Sequence, residues 1–228
     1  MNRRTAFVTD FDGTVVTVDV GDAIVRRFVP EGESQLSELY QRVSAGEIDL
    51  PALQRAIWPL VRCEPEELCC YLDRIAIVRG GFSELAAGLA VSGIPFVIAS
   101  GGFDFYIDHI LAGLDLGGAS PTVIANRAVP VGGGIVVDFP HRDRLGCATC
   151  TVCKGKVLEG LRTDGYRTVF CGDGMTDRCA LESADLLFCV EGSTLHRLAA
   201  ERDVPYTPFS SFNEVARGLR DAGLETQS

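Results

Sequence analysis

Two aspartates one residue apart stand directly after a short apolar run near the start of the chain. The run Ala6–Thr9 leads into Asp10-Phe11-Asp12-Gly13-Thr14. Ligands of open α/β sheets bind just beyond the carboxyl ends of the strands, so both carboxylates stand where a site is expected. An Asx turn with a capping acid is an open alternative for this segment taken alone. A calcium-binding EF-hand is disfavoured, because the acids follow a strand and the downstream acidic ligand is missing.

Three further polar segments occupy comparable places along the chain. Ser100-Gly101-Gly102 follows a second apolar run and suits an anion held by a hydroxyl and backbone N–H groups. The segment 172–177, Gly-Asp-Gly-Met-Thr-Asp, follows a later run and offers the oxygen ligands that a hard cation requires. Lys154 opens the helix before it and could bring a positive charge to the same edge, with Lys156 as the runner-up.

The elements that must position these segments follow an α/β pattern. Short apolar runs alternate with helical stretches, which predicts a doubly wound, mainly parallel sheet. The predicted strands are Ala6–Thr9, Pro95–Ala99, Thr122–Ala125, Thr168–Cys171 and Leu186–Val190. The predicted helices lie near Phe82–Val91, Phe103–Leu111, Lys154–Leu161, Asp177–Ser183 and Leu195–Glu201. Residues 128–139, with glycines at 132, 133 and 134, predict a β-hairpin.

Residues 20–78 interrupt this alternation, because they contain helical patterns and no convincing strand. Ser34 precedes apolar residues at helical spacing, Asp49 and Pro51 open a second piece, and Pro65 opens a third. A helical block between the first and second strands predicts a small cap over the carboxyl edge of the sheet. The expected division is a core of residues 1–19 and 79–228 and a cap of residues 20–78.

Composition restricts the partners of the chain. Its 228 residues carry 31 acidic against 21 basic side chains, a net charge of −10, which disfavours nucleic acid and an anionic membrane surface. No apolar run approaches the roughly 18 residues of a spanning helix, and the N-terminal run is too short for a signal-peptide core. We therefore expect a cytoplasmic protein; nothing in the sequence indicates its oligomeric state. An acidic protein that binds an anion needs a metal ion, a lysine or a helix N-terminus to do so.

The order of the four polar segments resembles the haloacid dehalogenase superfamily, in its phosphoserine-phosphatase-like branch with a helical cap after the first strand. Within that branch the chain is more similar to the phosphatases of methionine salvage. That closer likeness rests on segments 78–82 (Val-Arg-Gly-Gly-Phe) and 100–105 (Ser-Gly-Gly-Phe-Asp-Phe), and on Pro140-His141 leading to Cys153-Lys154.

The resemblance implies a Mg²⁺-dependent phosphomonoesterase that works through an aspartyl-phosphate. In it Asp10 is the nucleophile, and Asp12 protonates the leaving group and then activates water. Asp10, the Asp12 backbone carbonyl and Asp173 hold Mg²⁺, with Asp177 near it or acting through water.

The same resemblance implies which residues bind the phosphate and what kind of substrate is expected. Ser100, the Gly101 backbone N–H and Lys154 hold the phosphoryl oxygens. The expected substrate is a small, soluble phosphorylated metabolite, with a keto-sugar-like intermediate of methionine salvage favoured and phosphoserine or another small phosphate as alternatives. Asp19 stands where related enzymes carry a substrate-selecting acid, commonly a Glu that pairs with an amine; the shorter Asp disfavours phosphoserine. Arg55 could meet a substrate anion, although a solvated helix face is the commoner role.

Cysteines suggest a second metal. Cys147, Cys150 and Cys153 have C-x2-C-x2-C spacing, and His141 precedes them by six residues. Three thiolates and an imidazole suffice for tetrahedral zinc, while three reduced thiols in a loop are the alternative. The remaining cysteines lie within apolar patterns and are interpreted as core residues: Cys63, Cys69, Cys70, Cys171, Cys179 and Cys189.

Two other classes of function remain open at this point. A phospho-accepting switch would be phosphorylated for signalling, but such domains lack a helical insertion after the first strand. A catalytically idle binding protein on the same fold would not need the acids and Lys154.

Overall fold

The strand that ends at the paired aspartates lies at the centre of a seven-stranded sheet. The structure, a computed structural model, describes residues 4–131, 134–147 and 149–224. The strand order is β4-β3-β2-β1-β5-β6-β7. The strands are β1 (Thr5–Thr9), β2 (Phe96–Phe103), β3 (Thr122–Val131), β4 (Gly134–Asp138), β5 (Arg167–Gly172), β6 (Leu186–Val190) and β7 (Thr207–Phe209). Strand β1 pairs in parallel with both β2 and β5, so the carboxyl ends of the three strands meet at one edge.

Helices cover both faces of the sheet, as a doubly wound fold requires. Alternate residues of β1 face opposite sides: Phe7 packs in one hydrophobic cluster and Val8 in the other. The helices are α1 (Val20–Phe28), α2 (Gly32–Ser44), α3 (Leu50–Ile57), α4 (Pro65–Ile75), α5 (Phe82–Val91), α6 (Asp104–Ala112), α7 (Arg142–Leu145), α8 (Lys154–Thr163), α9 (Thr194–Glu201) and α10 (Phe212–Asp221). Two 3₁₀ helices, Trp58–Leu60 and Met175–Ala180, complete the set in the described ranges.

The predicted fold class is confirmed, and the differences are local. Strand β3 continues past Ala125 and forms the first arm of the predicted hairpin with antiparallel β4; the turn residues Gly132 and Gly133 lie outside the described residues. The helix predicted over Asp177–Ser183 begins earlier and is a 3₁₀ helix, Met175–Ala180, with the Asp177 carboxylate accepting from the Gly174 N–H at its start. Strand β7 and helices α1, α7 and α10 were not predicted.

The block between β1 and β2 is helical, as expected. Asp19 caps α1 by accepting from the Asp22 N–H at 2.8 Å, and Asp49 caps α3 in the same way. The ring of Trp58 meets the edge of Phe103, at the end of β2, with ring centroids 4.7 Å apart. This aromatic contact joins the helical block to the carboxyl edge of the sheet. The boundaries of the cap, at residues 20 and 78, stay a prediction.

Within the described residues, no helix has both the length and the apolar character required of a membrane span.

Candidate active site

The four polar segments line one cavity of about 190 Å³ at the carboxyl edge of the sheet. Asp10 and Asp12 follow β1, Ser100 lies near the end of β2, and Asp173 follows β5. Lys154 reaches the same cavity from the first turn of α8. These residues are far apart in the sequence, and they meet because parallel neighbours in a sheet end at a common edge.

Lys154 is a buried cation at the site. Its side chain is 1 % exposed, and Nζ lies 3.1 Å from Asp10 Oδ1 and 2.9 Å from Asp177 Oδ1. Burial alone would lower the pKa of Lys154, but these two carboxylates raise it above its ordinary value. Lys154 is therefore a permanent cation at neutral pH. The alternative lysine, Lys156, is instead paired with Glu159 on the surface.

Asp177 orients the other groups and does not itself line the cavity. Its side chain is fully buried, and Oδ2 accepts from the backbone N–H groups of Asp173 and Gly174, each at 3.0 Å. Its other oxygen pairs with Lys154. The aspartate thus fixes both the loop after β5 and the lysine, which accounts for its full burial.

Three carboxylates form a candidate magnesium centre. One oxygen from each of Asp10, Asp173 and Asp177 lies within 4.8 Å of the others. Burial and the neighbouring Asp177 carboxylate raise the pKa of Asp10 well above its usual range, and the same two causes raise the pKa of Asp173 to about 6. Closely packed oxygen donors that resist ionisation fit a hard divalent cation, which would stabilise their charged forms. Asp10 and Asp173, which line the cavity, are the side chains placed to hold it.

Asp12 is held by three donors on the cavity wall. Tyr106 Oη donates to Oδ2 at 2.6 Å, the Val20 N–H donates to Oδ1 at 2.9 Å, and Ser100 Oγ lies 3.5 Å from Oδ2. Desolvation raises the pKa of Asp12 to about 6, although the hydrogen bonds from Tyr106 and Val20 oppose the shift. A carboxyl with this pKa can give and take a proton near neutral pH. Gly102 is required beside it, because a Cβ there would collide with the Tyr106 hydroxyl.

The irregular carboxyl end of β2, residues 100–102, is held from a neighbouring strand. Ser100 Oγ accepts from the Gly102 N–H at 2.9 Å. Buried Asn126, on β3, donates to the Gly101 carbonyl at 2.7 Å and to Thr151 Oγ1 at 2.9 Å. These bonds hold a hydroxyl and a backbone turn at the cavity, the arrangement that a phosphoryl group requires.

The loop after β1 is held by Arg79, which lies just after the helical block. Its guanidinium donates to the carbonyls of Gly13 at 2.7 Å and Thr14 at 2.8 Å. Thr14 Oγ1 in turn donates to Asp173 Oδ1 at 3.0 Å. Gly13 has φ +75°, and a Cβ there would collide with the Asp173 carboxylate. Arg79 therefore fixes the loop that follows Asp12 and, through Thr14, the Asp173 carboxylate, although it does not line the cavity.

Of the two residues expected to select substrate, one lines the cavity and the other does not. Asp19 lines the cavity while it caps α1. Arg55 is exposed, stacks on the Phe139 ring at 4.7 Å and does not line the cavity. Its neighbour Gln54 does line it, and Gln54 Nε2 lies 3.4 Å from the Gly101 carbonyl.

The three cysteines of the loop before α8 lie beside the site. Cys147, Cys150 and Cys153 are joined by Cys179, from the 3₁₀ helix that carries Asp177, and the four sulfurs lie within 4.8 Å of one another. Interpreting Cys179, Cys69 and Cys70 as core residues was wrong, because Cys179 belongs to this group and the other two are exposed. His141 is not part of the group; its Nδ1 lies 3.1 Å from Arg144 Nη2.

Comparison with known proteins identifies the family. The profile of the haloacid dehalogenase-like hydrolases matches residues 7–182. The chain belongs to the haloacid dehalogenase-like hydrolase family. It is 28% identical to the 2-hydroxy-3-keto-5-methylthiopentenyl-1-phosphate phosphatase of Brevibacillus brevis, with 99% of each chain covered. It is 30% identical to the enzyme of that name from Geobacillus kaustophilus, with 96% of this chain and 97% of the relative covered.

Solved structures share the fold of this hydrolase. A phosphoserine phosphatase with an analogue of the phospho-aspartyl intermediate superposes with a TM-score of 0.67 at 20% identity, over 95% of this chain and 99% of that chain. A substrate-bound phosphoserine phosphatase gives 0.66 at 20% identity, with the same coverage. The predicted superfamily, and the prediction of an enzyme of its phosphatase class, are confirmed.

The sequence alone did not reveal the roles of Tyr106, Asn126 and Gln54, or the hydrogen bonds from Arg79 to the loop after β1. Asn126 carried a usable signal, because it is the polar residue that directly follows the predicted third strand. Tyr106 carried no such signal, since an aromatic residue on an apolar helix is usually a core residue.

Replacing Lys154 with methionine should destabilise the protein, because two buried carboxylates lose their shared cation. Breaking a buried ion pair in this way costs about 3–5 kcal/mol. We expect Lys154→Met to lower the free energy of unfolding in urea, measured at pH 7 without divalent metal, by that amount. Lys156→Met removes an exposed lysine of the same helix and is the matched control, with no measurable loss. Equal losses in the two variants would contradict the assignment of Lys154.

Proposed function

We propose that this hydrolase removes the phosphoryl group from a small phosphorylated metabolite through an aspartyl-phosphate on Asp10. The observation that carries the proposal is the meeting of Asp10, Asp12, Lys154 and Asp173 around one small cavity. A carboxylate nucleophile, a proton carrier and a buried cation are the groups that phosphoryl transfer requires. The names of the curated relatives support the same reaction.

Each residue has a definite step. An Asp10 carboxylate oxygen bonds to phosphorus while the bond from phosphorus to the ester oxygen breaks, and Asp12 delivers its proton to the leaving oxygen. Asp12 then takes a proton from water as that water attacks the phosphorus, which releases phosphate and restores Asp10. Lys154 and the loop around Ser100 stabilise the charge on the phosphoryl oxygens. Mg²⁺ held by Asp10, Asp173 and the Asp12 carbonyl would offset the repulsion between carboxylates and phosphate.

The cap side of the cavity favours a substrate with an apolar part. Its lining is largely hydrophobic: Val25, Leu36, Leu50, Leu53, Ile57 and Trp58. Among the described lining residues Lys154 is the sole cation, so a substrate carboxylate has no partner there. Gln54 Oε1 is buried without a hydrogen-bond partner in the described part of the chain and could accept from a substrate hydroxyl. These features suit 2-hydroxy-3-keto-5-methylthiopentenyl 1-phosphate, the substrate in the relatives' name, better than phosphoserine.

Phosphoserine remains the second candidate, because Asp19 lines the cavity and could pair with an ammonium group. In both cases we propose that residues 20–78 act as a cap that excludes water during transfer.

A panel of phosphorylated metabolites, assayed for phosphate release with Mg²⁺ present, tests the proposal. We expect kcat/KM for a phosphorylated keto compound with a methylthio tail to exceed that for phosphoserine by at least about ten-fold, the discrimination that one or two apolar groups provide. Higher turnover of phosphoserine would overturn the substrate assignment while leaving the reaction intact.

The nucleophile is tested with Asp10→Asn in the same assay. The variant should lose at least about 10³-fold in kcat, since a covalent step cannot start from an amide. Brief reaction with ³²P-labelled substrate followed by acid quenching should label the unmodified protein but not the variant. Full turnover by Asp10→Asn would exclude an aspartyl-phosphate on this residue.

Removing the Tyr106 hydroxyl should shift the pH dependence of the reaction. Because its hydrogen bond favours the ionised form of Asp12, Tyr106→Phe should raise the pKa of Asp12 above about 6. The alkaline limb of the kcat/KM profile, where the acid form of Asp12 is lost, should therefore move upward by about one unit.

Tyr40→Phe is the matched control for that measurement. It removes another cavity-lining hydroxyl, which is bonded to Asp22 and not to Asp12. Ionisation of the substrate is common to all three enzymes and cancels in the comparison. An unmoved limb in Tyr106→Phe, or the same movement in Tyr40→Phe, would show that Asp12 is not the acid.

A further inference from the structure

Four cysteine sulfurs meet beside the active site although the residues come from two separate segments. Cys147, Cys150 and Cys153 lie in the loop before α8, and Cys179 lies in the 3₁₀ helix after β5. We propose that these four thiolates bind a structural zinc ion. Neither the proposed hydrolysis nor the magnesium centre involves it.

The distances suit a tetrahedral tetrathiolate site. Zinc lies about 2.3 Å from each cysteine sulfur, so the sulfurs of such a site are about 3.8 Å apart. Cys150 Sγ and Cys179 Sγ are 3.9 Å apart, and all four sulfurs lie within 4.8 Å. A disulfide requires about 2.05 Å, and all four cysteines are free thiols. Cys150 and Cys153 are buried, while Cys147 and Cys179 are partly exposed and leave a path for the ion.

Hydrogen-bond donors surround part of the sulfur cluster. Backbone N–H groups of Thr149 and Cys150 donate to Cys147, and the Lys156 N–H donates to Cys153. The hydroxyl of Thr149 lies 3.6 Å from Cys147 Sγ and 3.7 Å from Cys150 Sγ, and Arg178 Nη2 donates to that hydroxyl at 3.0 Å. A zinc ion with four thiolates carries two negative charges, and such donors and cations around the sulfurs compensate them.

The site would couple two elements that carry active-site charges. Cys153 is the N-cap of α8 and directly precedes Lys154, and Cys179 lies two residues after Asp177. The two segments are already in close contact, because a Cβ at Gly155 would collide with the Cys179 carbonyl. Zinc would therefore tie the lysine to its aspartate partner from outside the cavity. Binding would release one proton from each thiol that is protonated in the free protein.

Metal analysis of the full chain, purified without chelator from cells supplied with zinc, tests the proposal. We expect about one zinc per chain in the unmodified protein. Cys179→Ser and Cys147→Ser should each lower the zinc content at least about ten-fold after dialysis against a weak chelator. Cys70→Ser replaces an exposed cysteine outside the group and should keep the full content. Two ligand variants are used so that poor folding of one does not decide the result.

Spectroscopy gives a second measurement that does not depend on turnover. Cobalt exchanged into the unmodified protein should give the intense visible bands of a tetrahedral thiolate site, and Cys70→Ser should give the same spectrum. A zinc-selective chelator, with Mg²⁺ kept in excess, should lower the unfolding midpoint of both proteins. Folded protein that is free of zinc and fails to bind cobalt, or that contains a Cys150–Cys179 disulfide, would overturn the proposal.

Discussion

Buried carboxylates packed around one buried ammonium group constrain the rest of the structure. Asp10 and Asp177 both contact Lys154, and Asp173 lies within reach of both acids. Like charges that are withheld from water repel strongly, so the arrangement is stable only where hydrogen bonds and the ammonium group compensate them. The same repulsion makes the site a strong attractor for a cation, and hence for the phosphate that the cation allows to approach.

The fold meets this constraint with groups that never touch the cavity. Arg79 fixes the carbonyls after β1, Asn126 fixes the carboxyl end of β2, and Asp177 fixes the loop after β5. Each binds backbone groups, and Asp177 also pairs with Lys154, so the loops that carry the carboxylates are held in place. The four cysteines extend this pattern, since they join the start of α8 to the 3₁₀ helix that carries Asp177.

The sequence predicted the parts of the molecule that depend on local pattern. Buried parallel strands are continuous apolar runs, and the polar residues after them meet because the sheet brings strand ends together. Local pattern does not predict which side of a helix faces the cavity, or which distant segments of the chain come into contact. Gln54 and Arg55 are neighbours, yet one lines the cavity and the other stacks on Phe139. Cys179 looks apolar in sequence, and only the folded chain brings it to the cysteine loop; β7, with three residues, is too short to give a periodic signal.

The dependence of stability on pH and Mg²⁺ tests the central constraint most directly. Desolvation and neighbouring acids raise the pKa values of Asp10 and Asp173, so the metal-free folded protein retains protons there that the unfolded chain has already released. Its stability should therefore fall as pH rises from about 5 to about 7.5, and Mg²⁺ should restore it, with a larger gain at the higher pH. Asp173→Asn should reduce both effects. Two results would contradict this prediction: an unfolding midpoint of the metal-free protein that does not change over this pH range, and no gain in stability when Mg²⁺ is added.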